Sequence, residues 1–443
     1  MPELSIKDFS CIRHANFKLQ RLNIIIGPQG SGKSVTTKLI YFFADILQDS
    51  MRHAEDSQKF SDYKKQLQKS FSIWFPPSAW GAERFFINYV DGAFSIRVMR
   101  RQVAGALSDE VTINFSKQFE ECYDDALRIF SESRAVNLEK TADGRGSFAR
   151  DTLEVAWRAR DEVWKNFTKA LGKNIVFGQT FIPAGRAFFT SIGRLVAGIE
   201  HVGSLDPATL KFAKIFANWR DQLESLRTHF RGSEDHHKLR NRVMDDLFGG
   251  VVQAKRDSEY IEMVDGRRVP FSSLSSGQQE LLPIWYFLDN MMFMDAFYVT
   301  RPKRGAQGER NSELIYIEEP EAHLFPEAQS RLLEIMVEVV LGGSKGRTLI
   351  ITTHSPYIMS KLNVLLKAGQ ISRRKKKNKE LGEIIDKSKW LQVSDVTAQS
   401  IEQGCLKSIL DESEGLVDAA FLDSVSDMIS AQFLALLDLE EAL

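Results

Sequence analysis

Three apolar runs, each closing on a glycine, a carboxylate or a histidine, organise the chain. Leu22-Asn23-Ile24-Ile25-Ile26 stops at Gly27, Leu314-Ile315-Tyr316-Ile317 at Glu318, and Thr348-Leu349-Ile350-Ile351-Thr352-Thr353 at His354. Such short, nearly continuous runs suit strands buried on both faces. After the first, Leu39, Ile40, Phe43, Ile46 and Leu47 recur at helical spacing and predict a helix with one apolar face. Ahead of it, Ile6 to Phe17 alternates loosely, as an antiparallel strand pair would.

The pattern changes between Gln48 and Lys173. Residues 49 to 70 are polar and charged, and then Phe85 to Val90 and Phe94 to Val98 flank Asp91-Gly92, a hairpin signal. Ser116 to Leu171 reads as mostly helical, without the sustained heptads of a coiled coil. Ile175 to Pro183 reads as a return strand, and helices are expected through much of Ser191 to Leu247. Tyr260 to Val264 and Val269 to Ser272 form a second hairpin around Asp265-Gly266. The longest apolar stretch, Leu281 to Val299, contains Pro283, Asp289, Asn290 and Asp295 and reads as a buried core helix, not a membrane span.

Two segments read as mobile loops, Arg301 to Ser312 and the charge run Arg373 to Glu380. Near the end, Phe421, Leu422, Val425, Met428, Ile429, Phe433, Leu436 and Leu437 make a helical apolar stripe, for the chain's own core or for a partner. The expected organisation has four parts. Residues 1–47 are an N-terminal core lobe and 48–173 an inserted hairpin and helical lid. Residues 174–372 are a C-terminal core lobe, and 373–443 a basic loop followed by a helical region.

Charge narrows the partners. With 58 basic and 59 acidic residues and a net charge of −1, nothing global demands nucleic acid or an anionic membrane. Nucleic acid remains open only locally, at Arg373 to Lys379, where a solvated loop is the competing reading. Cys11, Cys122 and Cys405 are far apart, which suits a reducing cytosol and reads as packing. Met1-Pro2-Glu3-Leu4 does not begin a secretory signal, so a soluble cytoplasmic protein is expected.

The chemistry sits at the strand ends. In Gly27-Pro28-Gln29-Gly30-Ser31-Gly32-Lys33-Ser34 the glycines let backbone N–H groups approach phosphates, Lys33 adds charge toward the β and γ phosphates, and the Ser34 hydroxyl can ligate Mg²⁺. Glu318 is assigned to the metal and Glu319 to the attacking water. The usual metal residue at that position is Asp, so Glu318 departs from the pattern. His354 is assigned to sensing the γ phosphate and positioning water, against the commoner structural role of a lone histidine.

Gly27 to Ser34, Leu274 to Gln278, Ile315 to Phe325 and Thr352 to Pro356 together resemble the ABC-type ATPase core of OLD-like, RecF-like and SMC-like proteins. Glu318 to Pro326 and Ile182-Pro183-Ala184-Gly185-Arg186 are most similar to the OLD-like branch. The resemblance implies an α/β head, a mixed sheet flanked by helices with an antiparallel subdomain. It implies ATP and Mg²⁺ as cofactors, with Gly27 through Val35 on the nucleotide. It further implies a homodimer or larger homo-oligomer in which Ser275, Ser276, Gly277 and Gln278 close on the ATP of the opposite subunit. His323 is placed near the seam, and Arg186 either faces nucleotide or partner or forms a structural salt bridge. Gln179 is one of several candidates for the glutamine that links the γ phosphate to a helical lid, with a structural role as its competing reading, and an adenine contact is expected between Phe9 and His14.

An OLD-like nuclease would need a metal-binding domain with Asp-x-Asp, and none follows His354. The remaining resemblance is to ATPase subunits of bacterial anti-phage systems such as Septu and PARIS, which control a separate nuclease or toxin. A RecF-like repair ATPase acting on DNA and a transporter ATPase subunit are the alternatives.

Overall fold

The structure is a computed structural model that describes residues 2–142, 148–172, 176–192, 205–229, 233–255, 258–300, 312–342, 346–374, 378–411, 413–418 and 430–437. Strands β1 (Glu3–Phe9), β2 (Ile12–Lys18) and β3 (Leu22–Ile26) lead to α1 (Lys33–Glu55). Next come α2 (Phe60–Trp74), β4 (Phe86–Asp91), β5 (Phe94–Val103), β6 (Ala106–Phe115), α3 (Lys117–Ala142) and α4 (Phe148–Leu171). The chain returns through β7 (Val176–Ile182), α5 (Ala187–Ile192), α6 (Pro207–His229), α7 (Glu234–Phe248), β8 (Gly250–Lys255), β9 (Ser258–Met263), β10 (Arg268–Pro270) and α8 (Ser276–Thr300). It finishes with β11 (Ser312–Glu318), α9 (Pro326–Met336), β12 (Arg347–Thr353), α10 (Pro356–Ser372), α11 (Asn378–Ile384), β13 (Val396–Glu402) and β14 (Cys405–Ser408).

An eleven-stranded sheet runs β6-β5-β4-β1-β2-β14-β13-β3-β12-β11-β7. From β13 through β3, β12 and β11 to β7 every pairing is parallel, whereas β2, β1, β4, β5 and β6 pair antiparallel. This is the expected mixed sheet with an antiparallel subdomain. The parallel strands alternate between two cores. Ile25, Leu314, Tyr316 and Ile350 join α1, α3 and α4 on one face, and Ile24, Ile315, Ile317, Leu349 and Ile351 join α8, α9 and α10 on the other. Burial on both faces is why these strands read as unbroken apolar runs.

Two segments lie differently from the sequence expectation. The hairpin within 48–173 is not part of a separate lid: β4 pairs with β1, extending the main sheet, and Phe71, Phe119 and Phe167 share one core with Phe43 of α1. The region after 373 is not only loop and helix, because β13 inserts beside β3 in the middle of the sheet. Val396-Thr397-Ala398-Gln399-Ser400 buries alternate positions, too short and polar a pattern to stand out before its neighbours are known.

Helix α8 is the expected core helix. Its two aspartates have partners: Asp289 pairs with Arg240 at 2.9 Å and Asp295 with Arg347 at 2.6 Å. No helix among the described residues is long and apolar enough to cross a membrane. Residues 301–311, Lys375 to Lys377 of the basic run, and Phe421, Leu422, Val425, Met428 and Ile429 of the apolar stripe lie outside the described residues. Phe433, Leu436 and Leu437, at the end of that stripe, are exposed rather than packed on the core.

Candidate nucleotide site

The phosphate loop begins where β3 ends beside β13. A Cβ at Gly27 would lie 2.7 Å from the Ile401 carbonyl oxygen, so no larger residue fits. Gly30 and Gly32 take φ of 76° and 105°, which glycine adopts at little cost. The turn brings the free N–H groups that open α1 to one place, at the positive end of the helix dipole. Lys33 is only 5% exposed. Its Nζ donates to the carbonyls of Gly27 at 2.7 Å and Pro28 at 2.9 Å, and stands 3.5 Å from Nδ1 of His354. Burial pulls its pKa below the ordinary lysine value, against the opposing pull of Glu319, Glu321 and Glu318.

The two carboxylates closing β11 diverge. Glu318 is buried, with Oε1 accepting from the Thr37 hydroxyl at 3.1 Å and Oε2 from the Ala184 N–H at 3.4 Å. Glu319 leaves the strand with φ 43°, a left-handed conformation that costs a non-glycine residue on the order of 1–3 kcal/mol. Its N–H donates to the Thr352 carbonyl at 2.9 Å, and its Oε1 lies 3.0 Å from Nε2 of His354. The imidazole therefore stands between Lys33 and Glu319. Behind it, Glu321 Oε1 accepts from the Thr353 hydroxyl at 2.7 Å and the His354 N–H at 2.6 Å.

Lys33, Glu318, Glu319 and His354, far apart in sequence, are thus gathered at adjacent ends of parallel strands, the place where open α/β sheets bind ligands. Ser34 is exposed on the first turn of α1, and Val35 is half-buried against the core. The donors at hand are hydroxyl and carboxylate oxygens, Ser34 and Glu318, a hard set that suits Mg²⁺ completed by phosphate oxygens. Among the described residues no cluster of three or more His, Cys, Asp and Glu could hold a metal alone.

Beside the loop a cleft of about 660 Å³ is lined by Pro28, Gln29, Gly30 and Ser31, by Ser10 through Arg13, and by Trp80, Gln403 and Gly404. Of the stretch expected to hold an adenine contact, Phe9 is excluded, since it is buried among Phe71, Phe75 and Phe85. Cys11, expected as a packing residue, is exposed at this cleft.

The turn at Leu274 to Gln278, which stands where the resemblance places the signature, is built by a capping box. Ser275 Oγ accepts from the Gln278 N–H at 3.3 Å, while Gln278 Oε1 accepts from the Ser275 N–H at 3.3 Å and its hydroxyl at 3.2 Å. Leu274 anchors the turn in the core, and Ser275 and Ser276 are exposed. A Cβ on Gly277 would meet the His323 carbonyl oxygen at 2.7 Å, so signature and acidic turn touch within one chain. His323 has φ 59° and an exposed side chain.

At two positions the structural alternative is the one the fold realises. Arg186 faces neither nucleotide nor partner: it is 0% exposed, paired with Glu280 and bonded to the carbonyls of Glu318, Glu319 and Pro320. The amide of Gln179 is engaged by the Tyr41 carbonyl, Asp45 and the Tyr316 hydroxyl, which makes it a brace between β7 and α1. Thr37 and Glu321 were missed. Thr37 lies one helical turn beyond Lys33 on the same face, and Glu321 belongs to the acidic run, so spacing could have marked both.

The family model described as "AAA domain, putative AbiEii toxin, Type IV TA system" matches residues 22–360. No curated protein matches the sequence. Similar solved structures include an SMC head bound to the C-terminal winged-helix domain of ScpA, at 12% identity over 94% of this chain and 99% of that one, TM-score 0.39. The SMC head domain of Thermotoga maritima matches at 11% identity over 92% and 97%, TM-score 0.36. The recombination mediator RecF matches at 11% over 92% and 97%, TM-score 0.29. Because the matched span holds the phosphate loop, both carboxylates and His354, and is well over half of the chain, this protein belongs to that AAA-domain family of P-loop ATPases.

Proposed function

We propose that the chain is an ATP-hydrolysing switch that pairs with a second copy across two ATP molecules and controls a separate effector, a nuclease or toxin, in bacterial anti-phage defence in the cytoplasm. The observation that carries the ATPase reading is the convergence of Lys33, His354 and Glu319, with both ring nitrogens of the histidine near a charged group. In this reading Lys33 exchanges its loop carbonyls for phosphate oxygens, and Glu319 takes the proton of the attacking water. His354 positions that water beside the γ phosphate. Ser34 and Glu318 would hold Mg²⁺, which would neutralise phosphate charge when bound.

The pairing reading is supported by the exposure of Ser275 and Ser276 at the start of α8, where hydroxyls and the helix dipole can receive a partner's γ phosphate. The family description names a putative toxin and a toxin–antitoxin system, which supports a setting of that kind, while the separate effector rests on the sequence resemblance alone.

The test is Glu319→Gln with ATP and Mg²⁺, followed by light scattering. We expect turnover to fall roughly 10²–10³-fold and ATP to be trapped in a dimer or larger assembly. Normal turnover in this variant moves the role of base elsewhere. For the effector, coexpression with the product of each adjacent gene should show a toxic protein whose effect on colony formation depends on Lys33. Toxicity indifferent to Lys33→Ala removes this part of the reading.

A further inference from the structure

Arg186 is the most completely enclosed cation of the catalytic region, and its bonds run in two directions. Toward the catalytic turn, one terminal nitrogen donates to the Glu318 carbonyl at 2.8 Å and the Pro183 carbonyl at 3.3 Å. The other donates to the carbonyls of Glu319 at 3.2 Å and Pro320 at 3.3 Å. Toward the signature helix, Nε donates to the Glu280 carbonyl at 2.9 Å and lies 3.5 Å from the Glu280 carboxylate. Neighbouring groups repeat the second link: the Ala187 N–H donates to Glu280 Oε1 at 3.3 Å and the Thr190 hydroxyl to the Gln279 carbonyl at 3.0 Å.

Burying a guanidinium is costly, and apolar residues usually fill such a place as well. This one fixes three successive carbonyls, and the middle one belongs to Glu319, whose φ of 43° persists only where the surroundings hold it. The same rigid group holds α8 at Glu280, about one turn beyond Gly277, and Gly277 itself lies against the His323 carbonyl. Displacement of the signature turn therefore bears on the backbone of the catalytic carboxylate.

We propose that Arg186, with Glu280, is a positioning unit that transmits engagement of the signature at Ser275 to Gly277 to the geometry of Glu319 in the same subunit. Occupation of one ATP site is thereby reported to the other. This inference rests on the proposed function, in which the signature meets a partner's nucleotide.

The test compares Arg186→Lys, which keeps the charge but not the planar fork, with Glu280→Gln, which alters only the α8 side and keeps its shape. Turnover, KM, binding of a fluorescent ATP analogue, ATP-dependent dimerisation and thermal midpoint are measured for both. For Arg186→Lys we expect kcat to fall roughly 10²-fold, as for a small misplacement of a catalytic group, with KM and ATP affinity within about twofold and dimerisation retained. Glu280→Gln should show the same split with a smaller loss.

Wild-type kcat in both variants sinks the link, and so does a kcat loss that merely tracks lost ATP affinity and lost folded protein. Loss in Arg186→Lys with full activity in Glu280→Gln also overturns it, leaving a local brace. If Arg186→Lys does not fold, the kcat-against-KM split in Glu280→Gln decides alone. A wild-type protein that binds ATP without hydrolysing it overturns the proposed function and the link together, whereas normal wild-type turnover with unaffected variants overturns the link only.

Discussion

The phosphate loop and the signature are both short glycine-bearing turns that open a helix, yet they are finished differently. At the first, Lys33 is buried and its ammonium satisfied by Gly27 and Pro28, with His354 and Glu319 close behind. At the second, Ser275 and Gln278 satisfy each other in a capping box, and Ser275 and Ser276 are exposed. The first is an enclosed constellation drawn from several strand ends, and the second is a surface whose polar groups can change partners. That contrast fits the proposed arrangement, in which a second copy completes the site.

Three substitutions sharpen the comparison. Lys33→Ala removes the charge from the enclosed half and should abolish measurable hydrolysis, with turnover down at least about 10³-fold and ATP-analogue binding much weakened. Intact hydrolysis would place the site elsewhere. Gly277→Val attacks the surface half, since its Cβ would stand 2.7 Å from the His323 carbonyl oxygen. It should cost about 1–3 kcal/mol in stability by denaturant titration. It should also abolish ATP-dependent dimerisation while sparing ATP binding to the single chain, so a dimer of wild-type affinity would argue against the signature as a seam. Ser275→Ala removes one cap acceptor and should lower stability by about 1 kcal/mol. A fall in turnover larger than that implies, with ATP affinity unchanged, would give the hydroxyl a role beyond capping.

Much of the enclosed site was legible because its residues close apolar runs. Gly27, Glu318 and His354 each mark a strand end, and parallel strands bring such ends together. Arg186 was ambiguous for a physical reason: a guanidinium after a strand can serve phosphate or backbone carbonyls equally well, and only burial separates the two. Gln179 posed the same problem. The place of β13 was hidden because Val396 to Glu402 is short and carries polar residues, and it becomes a central strand only by pairing with β3. The hairpin around Gly92 was visible as a hairpin, but its membership of the main sheet depends on pairing with β1, which no local pattern specifies.

The sequence by itself determined the buried strands, the loop that can grip phosphate and the carboxylates and histidine that close those strands, since periodicity and glycine chemistry act over a few residues. Tertiary structure alone decided that Glu319 takes a left-handed turn, that Arg186 clamps that turn to α8, and that the hairpin of residues 403 and 404 walls the cleft. Those outcomes depend on burial and on contacts between segments remote in the chain, where the cost of an unsatisfied charge or carbonyl is fixed by neighbours that sequence does not place side by side.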